Sequence, residues 1–271
     1  MMKRSILNLS LAMGLVMGVA SAAAAVFPGS PVRKCGADAV LAGTVCLDTY
    51  EASVWRVPYP TTTNAFLVRK IQQGNATEAD LTAGGATQLG TKSDDYAPCT
   101  DNGQNCANDI YAVSLPSVIP AAFVTWFQAQ EACANAGKRL PTSAEWQVGA
   151  NGTPDPGPDN GTTDCNTDTA LLSPTGARRS CVSARGAFDM VGNLTEWVAD
   201  WVPLSTECHL WGGGFSDDVM CLVGASTTAS APGALLRGGY YFFLGTFAGP
   251  LTVSTDEPFN AFHFIDFRCA H

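Results

Sequence analysis

Cysteine usage is the feature that most limits how this chain can fold. Ten cysteines lie between Cys35 and Cys269, and no Cys-x-x-Cys pair is present to seed a metal–thiolate site. Ten cysteines allow many connectivities, but their spacing favours short local loops and leaves Cys133 and Cys269 as a long-range pair. We therefore predict a disulfide-stapled chain with the pairs Cys35–Cys46, Cys99–Cys106, Cys165–Cys181, Cys208–Cys221 and Cys133–Cys269.

The N-terminus has the layout of a secretory signal peptide. Lys3 and Arg4 precede an apolar run over residues 6–20, and small residues follow around Ala22. The run is too short and wrongly flanked for a stable membrane span. We predict a signal peptide at residues 1–25, a single domain at residues 26–271, and a secreted or periplasmic protein in an oxidising compartment.

The charge of the chain argues against nucleic acid as a partner. The formal net charge is −9, and loss of Lys3 and Arg4 with the signal peptide would make it −11, since −9 − 2 = −11. No basic run appears along the sequence. Such a surface repels phosphate backbones, so we expect no nucleic-acid binding.

The first half of the domain mixes one regular and one irregular stretch. Residues 39–57 combine β-branched and aromatic residues around a Gly-containing turn, which predicts a hairpin. Residues 58–118 are rich in Thr, Gly, Asn and Asp, which predicts a long surface segment with one short helix near Glu78.

Two short helices are predicted in the middle of the chain. Thr125 can cap a helix that runs to Gly137, where the missing Cβ suits a left-handed C-cap. Thr142 and Glu145 have the spacing of a capping box, which predicts a second helix starting at Thr142.

Four separated motifs resemble the formylglycine-generating enzyme family, also called sulfatase-modifying factors. They are GKRLPTSAEW at 137–146, GAFDMVGNLTEWVADW at 186–201, LLRGG at 235–239 and DFRCAH at 266–271. CLDTYEASVW at 46–55 is similar to the N-terminal hairpin of that family. The resemblance implies an α+β, C-type-lectin-like fold with little regular secondary structure and with its N- and C-terminal strands close together. It also implies a disulfide between a helix and the last strand, which Cys133 and Cys269 match.

The resemblance implies calcium as a cofactor. Asn193 and Glu196 match positions of one family calcium site, completed by backbone carbonyls, and Asn166 is a weaker candidate for a second. Hard oxygen ligands on an irregular loop suit that ion. The alternative is that Asn193 caps a turn and Glu196 is a buried ion-pair partner.

The oxidase chemistry of the family is not supported by the C-terminal residues. Family enzymes oxidise a substrate cysteine with copper, using two cysteines between the RGG strand and the FRC strand, because soft thiolates hold Cu(I). Here that segment reads YYFFLGTFAGPLTVSTDEPFNAFHFID and contains no cysteine. We therefore predict no copper and no catalytic residue.

The same segment resembles a second group within the family, the variable proteins of diversity-generating retroelements. In that group a template-directed process replaces adenines in codons between a fixed RGG and a fixed FRC. An Asn codon, AAY, with its two adenines replaced can encode every residue type at the predicted ligand-binding positions. These are Tyr241, Phe242, Phe243, Phe247, Ser254, Thr255, Asp256, Phe259, Phe262, His263 and Phe264. Asp266 departs from the pattern, because Gly is common there.

Aromatic residues at alternate strand positions are more often core than binding surface, and we predict that Phe267 points inward. Residues 240–244, however, form a continuous apolar run, and Phe262, His263 and Phe264 place aromatics on both faces of the chain. We therefore predict that several of these rings are exposed and bind an unidentified protein or glycan ligand. The rival functions are a formylglycine-generating oxidase and a structural accessory protein without a specific ligand.

Overall fold

The computed structural model describes residues 34–154, 163–211, 215–243 and 245–271. The predicted signal peptide, residues 1–25, lies outside the described residues. The helices are α1 (Ala65–Gln72), α2 (Glu78–Ala83), α3 (Trp126–Asn135) and α4 (Ser143–Ala150). The strands are β1 (Ala39–Ala42), β2 (Val45–Asp48), β3 (Ala52–Arg56), β4 (Thr87–Leu89), β5 (Ile110–Ser114), β6 (Thr195–Val202), β7 (Glu207–Leu210), β8 (Val219–Val223), β9 (Gly233–Arg237), β10 (Val253–Asp256) and β11 (Ile265–Phe267).

The strands form three sheets. The largest has six strands in the order β11-β6-β9-β10-β8-β7, β1 and β2 form a hairpin, and β4-β3-β5 is a separate three-stranded sheet. Within the large sheet, β11 runs parallel to β6 and β10 runs parallel to β8, whereas β9 is antiparallel to both of its neighbours. The sheet therefore combines strands that are far apart in the sequence, which gives the mixed α+β architecture predicted from the motifs.

The end of the chain pairs with the N-terminal hairpin. Cys46 and His271 exchange two backbone hydrogen bonds of 2.9 Å, and the amide of Asp48 donates to the carbonyl of Cys269 at 2.9 Å. The hairpin over β1 and β2 agrees with the sequence prediction. The two ends of the domain are thus held side by side, as the family resemblance implies.

The predicted helix starts are confirmed with their caps. The Thr125 side chain accepts from the amide of Gln128 at the start of α3, and the Thr142 side chain accepts from the amide of Glu145 at the start of α4. Both are reciprocal capping boxes, since the Gln128 and Glu145 side chains bond back to the cap amides. Gly137, just beyond α3, has a φ of +74°. Each helix boundary here follows from chemistry within one turn.

The prediction of a largely irregular segment at residues 58–118 was wrong. This stretch contains α1, β4 and β5 as well as the helix near Glu78. Strand β3 pairs with both β4 and β5, and Leu81, Leu89, Ile110 and Tyr111 are buried. The polar composition concealed these elements because each is short and buries few residues.

The ten cysteines form five disulfides. The structure pairs them as Cys35–Cys46, Cys99–Cys106, Cys133–Cys269, Cys165–Cys181 and Cys208–Cys221, the pairs that their spacing favours. Four of these close short loops, and Cys133–Cys269 joins α3 to the residues after β11 across 136 positions. In the chain-entropy treatment a loop of that size stabilises a fold by about 5 kcal/mol.

The core lies between the large sheet and the helices. Trp197 on β6, Leu236 on β9 and Phe267 on β11 are buried in one cluster with residues of α3, and Trp146 of α4 packs in a second cluster with Val198 and Leu235. Phe267 points inward, as expected from the sequence. In the part of the chain that the structure describes, no helix is long and apolar enough to cross a membrane.

A buried charge cluster connects these layers. Arg268 is fully buried and donates two hydrogen bonds to Glu196, from Nε to Oε2 at 2.7 Å and from Nη2 to Oε1 at 2.6 Å. The remaining donors of Arg268 reach the backbone carbonyls of Asp48 and Phe188. Glu196 also accepts from the Trp146 indole at 2.8 Å. The Arg268–Glu196 pair therefore connects β2, β6, α4 and the chain end.

More carboxyl groups than cations are buried around Arg268. Glu51, Asp189 and Asp266 are all buried, and burial raises the pKa of each, that of Asp189 to about 7. Burial likewise raises the pKa of Asp48 to about 6, although Lys138 opposes the rise. The folded protein therefore holds protons on carboxyl groups that would be ionised in the unfolded chain at neutral pH.

This cluster predicts that stability falls as pH rises from about 4.5 to about 8. A carboxyl with a raised folded pKa contributes stability that is fully present below its unfolded pKa and is lost as pH passes through its folded pKa. For Asp189 the loss of stability occurs between pH 3.8, the usual pKa of Asp, and its folded pKa of about 7. For Asp48 it occurs between pH 3.8 and a folded pKa of about 6. We expect the free energy of unfolding in urea, with disulfides intact, to fall by an order of a few kcal/mol across this range.

Asp189→Asn should flatten this pH dependence because it removes one titrating group. Asn tolerates the positive φ of 57° at this position. Asp168→Asn is the matched control, since Asp168 also has a positive φ, 53°, but is exposed. A wild-type stability that does not fall over this pH range, or an equal effect of both substitutions, would contradict the assignment.

Candidate functional site

The chain leaves β9 through two glycines before it enters the aromatic segment, residues 240–264. Gly238 and Gly239 have φ values of +87° and +73°. A Cβ on Gly239 would lie 2.2 Å from the carbonyl oxygen of Phe247 and 2.9 Å from the side chain of Ala248. Only glycine fits this turn, which folds the aromatic segment back against itself.

The aromatic segment is anchored by its backbone to surrounding loops. The amide of Tyr241 donates to the carbonyl of Asn193 at 2.9 Å, and the carbonyls of Tyr241 and Phe243 accept from Thr169 and Asp168 at 2.8 and 2.9 Å. Further along, the carbonyl of Phe264 accepts from Thr195 at 3.0 Å. These bonds hold the segment on the framework, so its side chains stand on a fixed backbone.

Five rings in the segment form a continuous aromatic row. Phe262 stacks on Phe264 with centroids 5.1 Å apart, and Phe264 stacks on Tyr240 at 4.5 Å. Tyr240 contacts Phe243 at 4.2 Å, and Phe243 contacts Phe247 at 5.5 Å. Residues distant in the sequence are thus brought side by side, because the segment leaves β9 and returns to β11.

Several members of the segment are exposed. Phe242, Phe247, Phe259 and Phe262 expose 65%, 43%, 45% and 38% of their surface, and His263 is also exposed. Phe243, Phe264, Ser254, Thr255 and Asp256 are half-buried. Tyr241 does not belong to this surface, since it is buried in a cluster with Ala122 and Leu194. Its ring contacts Tyr240 edge-on, with centroids 5.4 Å apart.

A pocket of about 240 Å³ opens beside the aromatic row. We call it the aromatic pocket. Six of the eleven predicted ligand-binding residues line it, namely Phe243, Phe247, Ser254, Thr255, Asp256 and Phe264. The structure therefore brings half of the predicted set together at one place.

The pocket has an apolar wall and a polar wall. Tyr240 completes the aromatic side, while Asp256 at the end of β10 accepts from the Asn260 amide group at 2.6 Å and from the Glu257 amide at 2.8 Å. Burial raises the pKa of Asp256. A ligand here meets aromatic faces on one side and hydroxyl and carboxyl oxygens on the other, a combination that suits an amphipathic group.

Part of the pocket lining was not predicted from the sequence. Tyr240, Leu236, Val219 and the Cys208–Cys221 disulfide all border the aromatic pocket. The apolar run over residues 240–244 was a signal for Tyr240. No local signal pointed to Val219 or the disulfide, because β8 reaches the pocket only through its parallel pairing with β10.

The three predicted calcium ligands lie in two different environments. Asn166 and Asn193 are hydrogen-bonded to each other, from Asn166 Nδ2 to Asn193 Oδ1 at 3.0 Å, and Asn193 Oδ1 also accepts from the Ser173 amide at 2.8 Å. The Asn193 amide group donates to Glu51. Glu196 is the buried ion-pair partner of Arg268.

A calcium ion at these residues would have to replace the donors that now occupy their oxygen atoms. Among the residues that the structure describes, no group of three or more His, Cys, Asp or Glu side chains is arranged to hold a metal. Calcium therefore stays a prediction, and differential scanning calorimetry with calcium and with a chelator tests it. An unchanged melting temperature would count against calcium.

The chain is similar in sequence to one protein family and to part of one curated protein. The sequence model of the sulfatase-modifying factor enzyme 1-like domain matches residues 39–271. A serine/threonine-protein kinase, Pkn1, of Chlamydia trachomatis serovar L2 is 34% identical over 87 residues, which are 30% of this chain and 14% of the kinase. The chain thus spans only a small part of that relative.

Several solved structures match this chain at low identity and with TM-scores below 0.5. The Major Tropism Determinant M1 variant is 18% identical with a TM-score of 0.44, and the match covers 85% of this chain and 51% of that one, about half its length. PvdO from Pseudomonas aeruginosa is 20% identical with a TM-score of 0.45, over 83% and 79% of the two chains. Treponema denticola variable protein 1 is 16% identical with a TM-score of 0.32, over 56% and 70%. Because the family's sequence model covers nearly all of the described chain, the protein belongs to the sulfatase-modifying factor enzyme 1-like domain family.

Proposed function

We propose that this protein is a secreted ligand-binding protein that uses the aromatic segment as its recognition surface and the aromatic pocket as the centre of that surface. The observation that carries the proposal is the convergence of six predicted residues on one pocket beside four exposed phenylalanines. Aromatic side chains offer large, rigid contact area with few rotatable bonds, which suits recognition.

The size of the pocket limits what enters it. Pockets that hold drug-sized ligands span about 300–1,000 Å³, whereas this one has about 240 Å³. It therefore accommodates one group, such as a side chain of a protein or one ring of a glycan, while the rest of the ligand lies on the exposed rings. Phe242 and Phe247 are placed to make those outer contacts.

Secretion is part of the proposal. The predicted signal peptide and five disulfides support it, because disulfides form and persist in oxidising compartments. We also propose that a retroelement diversifies this surface. An Asn codon with its two adenines replaced can encode every residue type at the eleven predicted positions. A near-copy of the 3′ coding sequence downstream, differing almost only at adenines, tests that part in the DNA.

Exposed rings of the recognition surface should matter for binding and not for folding. We expect Phe242→Ala combined with Phe247→Ala to weaken binding at least about tenfold, or about 1.4 kcal/mol. The probes are peptides selected from a displayed random library on the mature wild-type protein, and glycans on an array. Affinities of the selected binders are then measured by biolayer interferometry.

Phe66→Ala is the matched control, because Phe66 is exposed on α1, outside the aromatic segment. It should leave the affinities unchanged, and both variants should keep the wild-type melting temperature. Selected binders that tolerate the double substitution would contradict the proposed surface. The absence of any binder to either probe would favour the rival, a structural accessory protein.

A thiol count separates binding from the rival oxidase. All ten cysteines are in disulfides, so we expect no reaction of the native protein with a thiol reagent and no stoichiometric binding of Cu(I). About two reactive thiols in the folded protein, together with copper binding, would support the oxidase. Denatured and reduced protein provides the positive control for the reagent.

A further inference from the structure

The six-stranded sheet has a second face, opposite the aromatic pocket. Side chains alternate between the two faces of a strand. On β9, Leu236 borders the aromatic pocket, whereas Leu235 and Arg237 border a groove on the other side. On β10, Ser254 faces the pocket and Val253 faces the groove. The two sites therefore share strands and are separated by the sheet itself.

This second site, which we call the Arg237 groove, is a largely apolar depression of about 490 Å³ between the sheet, α4 and the β7–β8 hairpin. Its lining includes Trp211, Phe215, Leu222 and Leu251. Phe215 and Leu222 are exposed although both are large and apolar. An exposed apolar patch of this kind on a stable protein marks a binding site.

A single cation lies at the base of this apolar groove. Arg237 is only 4% exposed, and its guanidinium lies 4.7 Å from the centre of the Trp146 ring. Nη2 donates to Gln147 Oε1 and to the carbonyl of Pro250 at 3.2 Å. Nε is buried without an acceptor. Two neutral oxygen atoms are thus all that this guanidinium binds within the described residues.

Among the described residues, no carboxylate forms an ion pair with Arg237. None of the ion pairs among the described residues includes it. Asp218 is the carboxyl that acts on Arg237 electrostatically, but the two side chains form no ion pair. Asp218 Oδ2 accepts from the Leu251 amide at 2.7 Å, and Asp218 Oδ1 is buried without a hydrogen-bond partner among the described residues. Burial lowers the pKa of Arg237 to about 10, so the group is still charged at neutral pH.

A buried guanidinium without an anionic partner is unfavourable, and a ligand that supplies a carboxylate removes that deficit. Carboxylate is the planar anion that matches the fork of an arginine, with charge-assisted hydrogen bonds. The surrounding apolar side chains would cover a hydrocarbon chain attached to it. The groove therefore suits a molecule that carries both a carboxylate and a hydrocarbon chain.

We propose that the Arg237 groove binds an apolar monocarboxylic acid. Its carboxylate pairs with Arg237, and its hydrocarbon chain lies against Trp211, Phe215 and Leu222. The site is separate from the aromatic pocket, so its occupancy does not depend on the function proposed above.

The test is isothermal titration of the mature protein with octanoate at neutral pH. Two control probes are 1-octanol, which lacks the charge, and acetate, which lacks the hydrocarbon chain. We expect octanoate to bind at least about tenfold more tightly than either. Arg237→Gln should abolish this preference, because the amide keeps polarity and removes the charge.

Leu222→Asp provides a second variant in case Arg237→Gln does not fold, since Leu222 is exposed at the rim of the groove. The new carboxylate should repel octanoate and weaken its binding at least about tenfold. Leu171→Asp is the matched control at a site exposed elsewhere. It should bind octanoate as the wild type does, and so should Phe247→Ala, which alters only the aromatic pocket.

Four results would overturn the proposal. Three are equal affinity for octanoate and 1-octanol, no binding of octanoate to the wild type, and unchanged binding by Leu222→Asp. The fourth is loss of octanoate binding in Phe247→Ala, which would place the ligand in the aromatic pocket instead. Each outcome leaves the test of the aromatic surface unaffected.

Discussion

The bidentate pair between Arg268 and Glu196 is the interaction on which the rest of the structure depends. Both side chains are fully desolvated, and their mutual attraction offsets that cost only because nearly all their hydrogen-bonding groups are satisfied. Arg268 follows β11, Glu196 lies on β6, and further bonds reach α4 and the N-terminal hairpin. Losing either partner would leave an uncompensated charge at the junction of four elements. The Cys133–Cys269 disulfide secures the same chain end covalently.

Once that junction is in place, the large sheet presents two chemically different faces. The segment between β9 and β11 folds over one face and supplies stacked aromatic rings. Helix α4 and the β7–β8 hairpin border the other face, where Arg237 lies among apolar side chains. The same strands β9 and β10 serve both sites through alternate residues. One framework therefore presents two chemically different surfaces without a change of backbone.

Arg268 and Arg237 differ in whether a carboxylate forms an ion pair with them. Both arginines are almost completely buried. Arg268 has a carboxylate partner, and nearby acidic groups keep its pKa raised despite burial. Arg237 has only neutral acceptors, and burial lowers its pKa. The first residue completes the fold, whereas the second forms no ion pair within the described residues, and the proposed carboxylate ligand would supply one.

Much of the framework could be predicted from interactions between residues close in the sequence. Features that depend on contacts between residues far apart in the sequence could not. The capping boxes at Thr125 and Thr142, the short cysteine loops and the inward position of Phe267 each depend on a few neighbouring residues. Helix α1 and strands β4 and β5 could not be recognised in a polar stretch, because their burial comes from pairing with β3 and packing on other elements. Tyr241 was placed on the surface by its residue type, but its neighbours Ala122 and Leu194 come from other parts of the chain.

The sequence by itself determined the family motifs, the disulfide spacing and the absence of cysteine between Arg237 and Phe267, since residue type and separation carry that information. Only the tertiary structure decided which rings of the aromatic segment face solvent, which of them meet at one pocket, and that Arg237 forms no ion pair with a carboxylate of the described residues. The physical reason is the strand order β11-β6-β9-β10-β8-β7. Both sites are built by strands that become neighbours only when the sheet forms, so no window of sequence contains either of them.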